Sequence, residues 1–295
     1  PFVSSRPMTV AVPTSLDDAV RLLAEHPDAM LLAGGTDAMV EINDGHRRPA
    51  GLVIGLNRVG DLRTWRHDAD AGTLTIGAGI TYTELMREPL ASLVPALAEA
   101  SRTVGSPQIR NAGTLGGNLG TCSPAGDGLP VLSALDADVR IVSAERERIV
   151  SIHDVMVGVK QTSLEPGELI ADIILPVRNG WQGYAKVGVR NAMVIAVASA
   201  CLAVDADNRA VAIALGSVGP TIIRCTTAEA QLAGAVEWET GIVSASVLDS
   251  LAAAVSAESR PITDHRSTAD YRRHAVGVLA RRLARRAFGI EEAAS

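Results

Sequence analysis

Aromatic side chains are scarce: three tryptophans, three tyrosines and two phenylalanines make up 3% of the 295 residues. A surface that stacks nucleic-acid bases on rings has almost nothing to be built from. Positive charge is lacking too, because the net charge is −6 at pH 7 and no overall basic field draws a polyanion. Cysteine occurs three times, at Cys122, Cys201 and Cys225, widely spaced and with no CxxC pair. An odd, scattered set fits a reducing compartment and excludes a disulfide framework or a zinc or iron–sulfur centre on this chain. No apolar run approaches the roughly 18 residues that span a bilayer. The opening "PFVSSRPMTVAVP" lacks a secretory n-region and h-region, and a start at Pro1 reads as processed or trimmed. The expectation is a soluble, cytoplasmic, metal-free chain without nucleic acid or membrane as partner.

What is present is an ordinary globular composition, 47% hydrophobic and 20% charged, long enough for two or three domains. "TSLDDAVRLLAEHP" predicts a helix capped by Ser15, with Asp18 three residues on and one apolar face of Leu16, Ala19, Val20, Leu22 and Leu23. "AMLLAGG" reads as a buried strand entering a glycine turn and "GLVIGL" (51–56) as another strand, together a β–α–β unit. "GTLTIGAG" (72–79) alternates as a strand, "SLVPALAEASRTV" (92–104) is helical, and "DVRIVS" with "ERIVSIHDV" suggests a hairpin. "GELIADIILP" (167–176) is a strand stopped by Pro176, and the polar "VRNGWQG" (177–183) reads as a domain junction. Beyond it come antiparallel strands turning at "DADN" and one or two arginine-rich helices over 264–288. The order of elements predicts α+β domains rather than a doubly wound sheet.

Two stretches spend nearly side-chain-free backbone. They are "LLAGGTD" (31–37) and "GTLGGNLGTCSPAGDGLP" (113–130). Glycine lets amide groups converge on an anion, and two such loops suit the two phosphates of a dinucleotide. A single Gly-Gly pair is most often a tight turn; two pairs, each following an apolar element, argue for more. "GAGITY" (77–82) is not a Rossmann fingerprint, since Tyr82 replaces the third glycine and no acidic residue ends a second strand. "GTLGGN" lacks the GK[ST] ending of a P-loop, and no GxSxG elbow organises a hydrolase. The histidines at 26, 46, 67, 153, 265 and 274 form no catalytic or metal pattern. The paired arginines Arg272, Arg273, Arg281, Arg282, Arg285 and Arg286 suggest a solvated helix face or a subunit contact.

"LLAGGTDAM", "TLTIGAGITYTEL", "SPQIRNAGTLGGNLGTCSPAGD", "GELIADIILP" and "YAKVGVRNA" together resemble the FAD-binding medium subunit of molybdenum hydroxylases, the xanthine dehydrogenase and carbon monoxide dehydrogenase type. The motifs stand in family order over roughly residues 8 to 200. The resemblance implies a two-subdomain FAD-binding fold of the vanillyl-alcohol oxidase (PCMH) type over 1–178, with subdomains of about 1–56 and 57–178. A smaller α+β C-terminal flavoprotein domain follows over 183–290. FAD would lie extended between the subdomains.

Carried over by residue, the resemblance makes Leu31, Leu32, Ala33, Gly34, Gly35, Thr36 and Asp37 the first pyrophosphate loop. Thr114, Leu115, Gly116, Gly117 and Asn118 become the second, with Thr121 and Cys122 beside it. Asp127 matches an aspartate that bonds FAD hydroxyls or the adenosine side, and Ala78 and Gly79 a turn near the cofactor. Leu169 and Ile170 match apolar residues at the flavin ring, and Lys186 a lysine near the isoalloxazine. Where some members set an aromatic over the ring, this chain has Met193 and Val194. The cysteine-bearing insertion of benzoyl-CoA-type relatives is missing. The implied role is electron transfer from the 2Fe–2S clusters of a small subunit, fed by a large molybdenum-cofactor subunit, to NAD or another acceptor. The implied assembly is a dimer of heterotrimers, a heterohexamer. No catalytic residue is expected on this chain. Two alternatives stay open: a stand-alone flavin oxidoreductase of the same fold, and a non-redox nucleotide-binding scaffold subunit.

Overall fold

The computed structural model describes residues 9–47 and 51–290. Of the segment read above for a leader, residues 1–13, the first eight lie outside the described residues. The first unit is β1 (Thr9–Ala11), α1 (Leu16–Glu25), β2 (Met30–Leu32), α2 (Ala38–Asn43) and β3 (Leu52–Gly55). Its strands run parallel in the order β1-β3-β2, as a β–α–β pattern requires. The Ser15 hydroxyl accepts the Asp18 amide at 3.2 Å and caps α1, whose Ala19, Val20 and Leu23 are buried.

The second unit holds a five-stranded antiparallel sheet, order β4-β5-β10-β6-β7, with helices gathered between its strands in sequence. In chain order it comprises β4 (Trp65–Asp68), β5 (Thr73–Gly77), α3 (Tyr82–Leu85), α4 (Leu90–Leu93), α5 (Pro95–Thr103), α6 (Pro107–Ala112), α7 (Leu115–Thr121) and α8 (Leu129–Ala134). Then come β6 (Asp138–Val142), β7 (Glu147–Ser151), α9 (Ile152–Val155), the small hairpin of β8 (Met156–Gly158) and β9 (Gln161–Thr162), and β10 (Leu169–Pro176). Pro95 splits the helix predicted over 92–104 in two, because proline opens a helix well and continues one badly. The greater difference is at 107–121. The glycine-rich stretch read as a loop over 113–130 holds the helix α7, capped by Thr114, and the start of α8, and α6, capped by Ser106, leads directly into it. Gly116, Gly117 and Gly120 lower the helix propensity of α7, and tertiary packing overrides them.

The third unit is a four-stranded antiparallel sheet of β11 (Gln182–Val187), β12 (Ala198–Asp205), β13 (Ala210–Gly216) and β14 (Ile223–Arg224), followed by α10 (Thr226–Ala235), α11 (Ala245–Glu258) and α12 (Ala269–Ala287). β12 is buried along its whole length. With a side-chain period of two, Cys201 and Ala203 face the core of the first two units, while Ala200, Leu202 and Val204 face the three helices. The sheet is therefore a shared wall. The arginine-rich tail is one helix capped by Thr268, and Arg272 within it is buried, not part of a solvated face. Its Nη1 donates to the carbonyls of Val197 and Ser217, both at 2.9 Å, and Nη2 to Asp264 at 2.6 Å. Among the described residues no helix is long and apolar enough to cross a membrane, and no cluster of His, Cys, Asp and Glu is set to hold a metal. All three cysteines are free and buried.

Candidate functional site

A cavity of about 1080 Å³ opens where the three units meet. That is at the upper end of the roughly 300–1,000 Å³ usual for small-molecule sites, so it suits a long ligand. One wall is the segment from Leu31 to Ala38, where β2 ends and α2 begins. Gly35 sits at φ +71°, a left-handed turn that aims the following amides. Among the described residues nothing accepts a hydrogen bond from the backbone N–H groups of Gly34, Gly35, Thr36 or Asp37. Consecutive unpaired amides are costly unless something anionic or water meets them.

The facing wall is α6, α7 and the turn after them. Here the structure departs from two matching loops. The Leu115 amide donates to the Ile80 carbonyl at 3.0 Å, Gly116 to Ala78 at 2.9 Å, Gly117 to the Thr114 hydroxyl at 3.0 Å and Asn118 to the Thr114 carbonyl at 3.0 Å. Those four donors are spent inside the protein, whereas the first segment presents four consecutive amides with no acceptor among the described residues. Gly116 is required for packing, since a Cβ there would lie 2.4 Å from that of Ala78. Leu115 and Cys122 point into the core and do not line the cavity. Thr114, Gly116, Gly117, Asn118 and Thr121 do line it. The Asn118 side chain packs against Gly126 and Gly128, and its Oδ1 is buried with no partner among the described residues. An orphaned acceptor in a polar cavity wall is a place for a ligand's donor.

β5 and β10 supply the floor. Ala78 and Gly79 follow β5, and the neighbouring strand brings Leu169 and Ile170, 1% and 7% exposed, to the same cavity. A bulge at Ala171 interrupts the ladder with β6, and its carbonyl accepts the Ala78 amide at 2.8 Å. Met193 and Ile195 form an apolar rim, both about half exposed, with Met193 at φ +50°. Their loop is pinned by Arg190, whose Nε donates to the Ala192 carbonyl at 3.0 Å and the Met193 carbonyl at 3.1 Å.

Asp127 is 8% exposed and lies in the cavity wall. Its Oδ1 accepts the Tyr184 hydroxyl at 2.7 Å and its Oδ2 the Lys186 ammonium at 2.7 Å. Burial pushes the Asp127 carboxyl up, against the pull of Lys186 and of its hydrogen bonds. Lys186 itself does not reach the cavity. Its remaining donors go to the carbonyls of Thr103 at 2.9 Å and Val194 at 3.1 Å. The expected lysine at the ring is thus a buried partner of Asp127. Three further features had no local signal in the sequence. Tyr184 meets Asp127 across 57 positions, and Lys160 pairs with Glu41 at the cavity wall from 119 positions away. The third is the unpaired Asn118 oxygen.

Residues 6–178 match the model of the FAD binding domain in molybdopterin dehydrogenase, and residues 184–287 match the CO dehydrogenase flavoprotein C-terminal domain. The chain belongs to this family. It is a flavin-binding component of the molybdopterin dehydrogenases, an oxidoreductase part whose cofactor is FAD. It is 34% identical over 278 residues to the carbon monoxide dehydrogenase medium chain of Afipia carboxidovorans, covering 93% of this chain and 94% of that one. The nicotinate dehydrogenase FAD-subunit of Eubacterium barkeri is 34% identical over 235 residues, covering 76% and 78%. Among solved structures, reconstituted CO dehydrogenase from Oligotropha carboxidovorans superposes with a TM-score of 0.86 at 30% identity over 97% of this chain and 99% of that one. The mixed helix and sheet architecture is that of the family. The features above fit FAD: free amides for a pyrophosphate, buried acceptors for hydroxyls and an apolar floor for a ring.

Proposed function

We propose that this chain is the FAD-carrying electron-transfer subunit of a multisubunit molybdenum hydroxylase. It takes electrons from 2Fe–2S clusters on a small partner and passes them to NAD or another acceptor. The large partner carries the molybdenum cofactor, and two such trimers form a heterohexamer in the cytoplasm. The observation that carries this reading is a cavity that brings together the amides of Gly34–Asp37, without an acceptor among the described residues, and the buried acceptors of Asn118 and Asp127.

When bound, FAD supplies redox chemistry that joins one-electron to two-electron transfer. The residues bind and orient. The amides of Gly34, Gly35, Thr36 and Asp37 hold the pyrophosphate. Asn118 and Asp127 accept hydrogen bonds from the cofactor, and Thr114 and Thr121 flank its path. Ala78, Gly79, Leu169 and Ile170 form an apolar seat that excludes water from the ring. Exposed Met193 and Ile195 leave one edge of the cavity open to an acceptor. The relatives named as nicotinate and carbon monoxide dehydrogenase subunits support this role; on this reading the substrate pocket belongs to another chain.

The visible spectrum of the purified chain and chromatography of its released cofactor test the reading. The expected result is a flavin spectrum, FAD at about one per chain, and electron acceptance that requires the partner subunits. A colourless chain that FAD cannot reconstitute, even with partners present, overturns it. Turnover of a small donor by the chain alone would instead make it a self-sufficient oxidoreductase.

A further inference from the structure

Tyr184 and Lys186 stand two residues apart on β11, so both project from one face of that strand. They converge on one carboxylate, each at 2.7 Å and on a different oxygen of Asp127. Tyr184 is 4% exposed and the Lys186 side chain 8%. The ammonium has three donors, and all three are taken, by Asp127 and by the carbonyls of Thr103 and Val194. It has none left for a cofactor. The carboxylate differs. Each of its oxygens has a second lone pair, and Asp127 is in the cavity wall where neither Tyr184 nor Lys186 is.

We propose that Tyr184 and Lys186 are positioning residues, which hold Asp127 as an aligned carboxylate in the wall of the FAD cavity, and that this carboxylate rather than the Lys186 ammonium meets the cofactor. This rests on the cavity being the FAD site. β11 belongs to the C-terminal sheet, while Asp127 belongs to the FAD-binding domain. The C-terminal domain therefore sets the charge of a group in the other domain's site. The groups facing the carboxylate are Tyr184 and Lys186 from β11, Thr103 at the end of α5 and the buried Tyr82 phenol of α3, with Asp37 also in the field of that phenol. Lys186 is the one cation among them. Without it a buried carboxylate takes up a proton, and an acceptor turns into a donor.

The test titrates the flavin-stripped full chain with FAD from about pH 5 to about pH 8, by flavin fluorescence, with circular dichroism as the check on folding. The variants are D127N, K186M, Y184F and the double variant D127N/K186M. D127N and K186M each weaken FAD binding about tenfold or more, the usual effect of losing a charge-assisted bond. The double variant binds within about twofold of D127N, because Lys186 acts only through Asp127. Y184F removes one donor to the carboxylate, so the pH below which affinity falls moves upward, a shift that loss of packing alone does not cause. D127N shows no such pH step. If the single losses multiply in the double variant, Lys186 contacts the cofactor independently and the proposal fails. It fails equally if D127N binds FAD as the unaltered chain does, and the FAD reading then survives. An unaltered chain that takes up no FAD overturns both. Should K186M not fold, the Y184F pH shift decides: its absence overturns the proposal.

Discussion

Gly34 packs directly on the carbonyl of Ala112: a Cβ on Gly34 would sit 2.0 Å from that oxygen. The two residues belong to opposite walls of the cavity, so the absence of a side chain at position 34 sets how closely the walls approach. Gly34→Ala is expected to cost about 1–3 kcal/mol, as overpacking does, and to lower both melting temperature and FAD affinity. Thermal melts of the flavin-free chain separate the two effects, since the stability loss is present without cofactor.

Gly120 gives the opposite outcome. It lies in α7, lines the cavity, and a Cβ there would meet nothing within 4 Å. Gly120→Ala is expected to stabilise the flavin-free chain by up to about 1 kcal/mol through helix propensity. It is also expected to weaken FAD binding, because the methyl enters the cavity. Denaturant melts and an FAD titration of the same sample check both signs.

Glu168 is the acceptor at the centre of an arginine cluster. Arg148 reaches its two oxygens at 2.8 and 2.7 Å, and Arg146 reaches one at 3.0 Å. The Arg148 hydrogen bonds, with the Glu165 amide behind them, hold its carboxyl down from 4.5 to about 2. A carboxyl depressed on folding contributes stability that is present above 4.5 and lost as pH falls towards about 2. Glu168→Gln should therefore lower stability at neutral pH, and the gap from the unaltered chain should close across that acid window. Urea melts at stepped pH measure it.

Arg272 holds the carbonyls of Val197 and Ser217 together with the Asp264 carboxylate. Arg272→Met takes this donor from the two carbonyls and the guanidinium from Asp264, which keeps the amides of Arg266 and Ser267, and is expected to destabilise by about 3 kcal/mol or more. Arg272→Lys is not expected to rescue it, because a single ammonium does not reproduce the guanidinium fork. Comparing the melting temperatures of the two variants decides the point.

Lys160 and Glu41 form an ion pair at the cavity wall between the hairpin of the second unit and α2 of the first. The lysine is 53% exposed, so the pair is worth at most about 1 kcal/mol of stability. Its effect is expected in kinetics. Lys160→Gln should release FAD a few-fold faster, on the order of 0.5–1 kcal/mol, with little change in melting temperature. Salt should speed release from the unaltered chain and not from the variant. Stopped-flow release of FAD reads both.

Local chemistry was legible without coordinates wherever a signal and its consequence lie within one turn or one strand. Ser15 and Asp18 cap α1 as read, Thr73–Gly77 alternates, and the family motifs stand in order. The parallel pairing of β2 with β3 follows from the β–α–β pattern because a crossover long enough to carry a helix returns the chain in the same direction. The helix at 115–121 was not legible, since its three glycines argue against helix and only packing on Ala78 makes it one. Nor was the burial of Arg272, which a run of paired arginines disguises as a solvated face. By itself the sequence determined most of the local elements, though not α7, together with the family and the residue types available to hold FAD. Tertiary structure alone decided which of them face the cavity. That choice rests on contacts across 59 and 119 positions, Lys186 with Asp127 and Lys160 with Glu41. Such pairs leave no mark on their neighbours in sequence, because a charge is satisfied by whatever folding brings within about 3 Å.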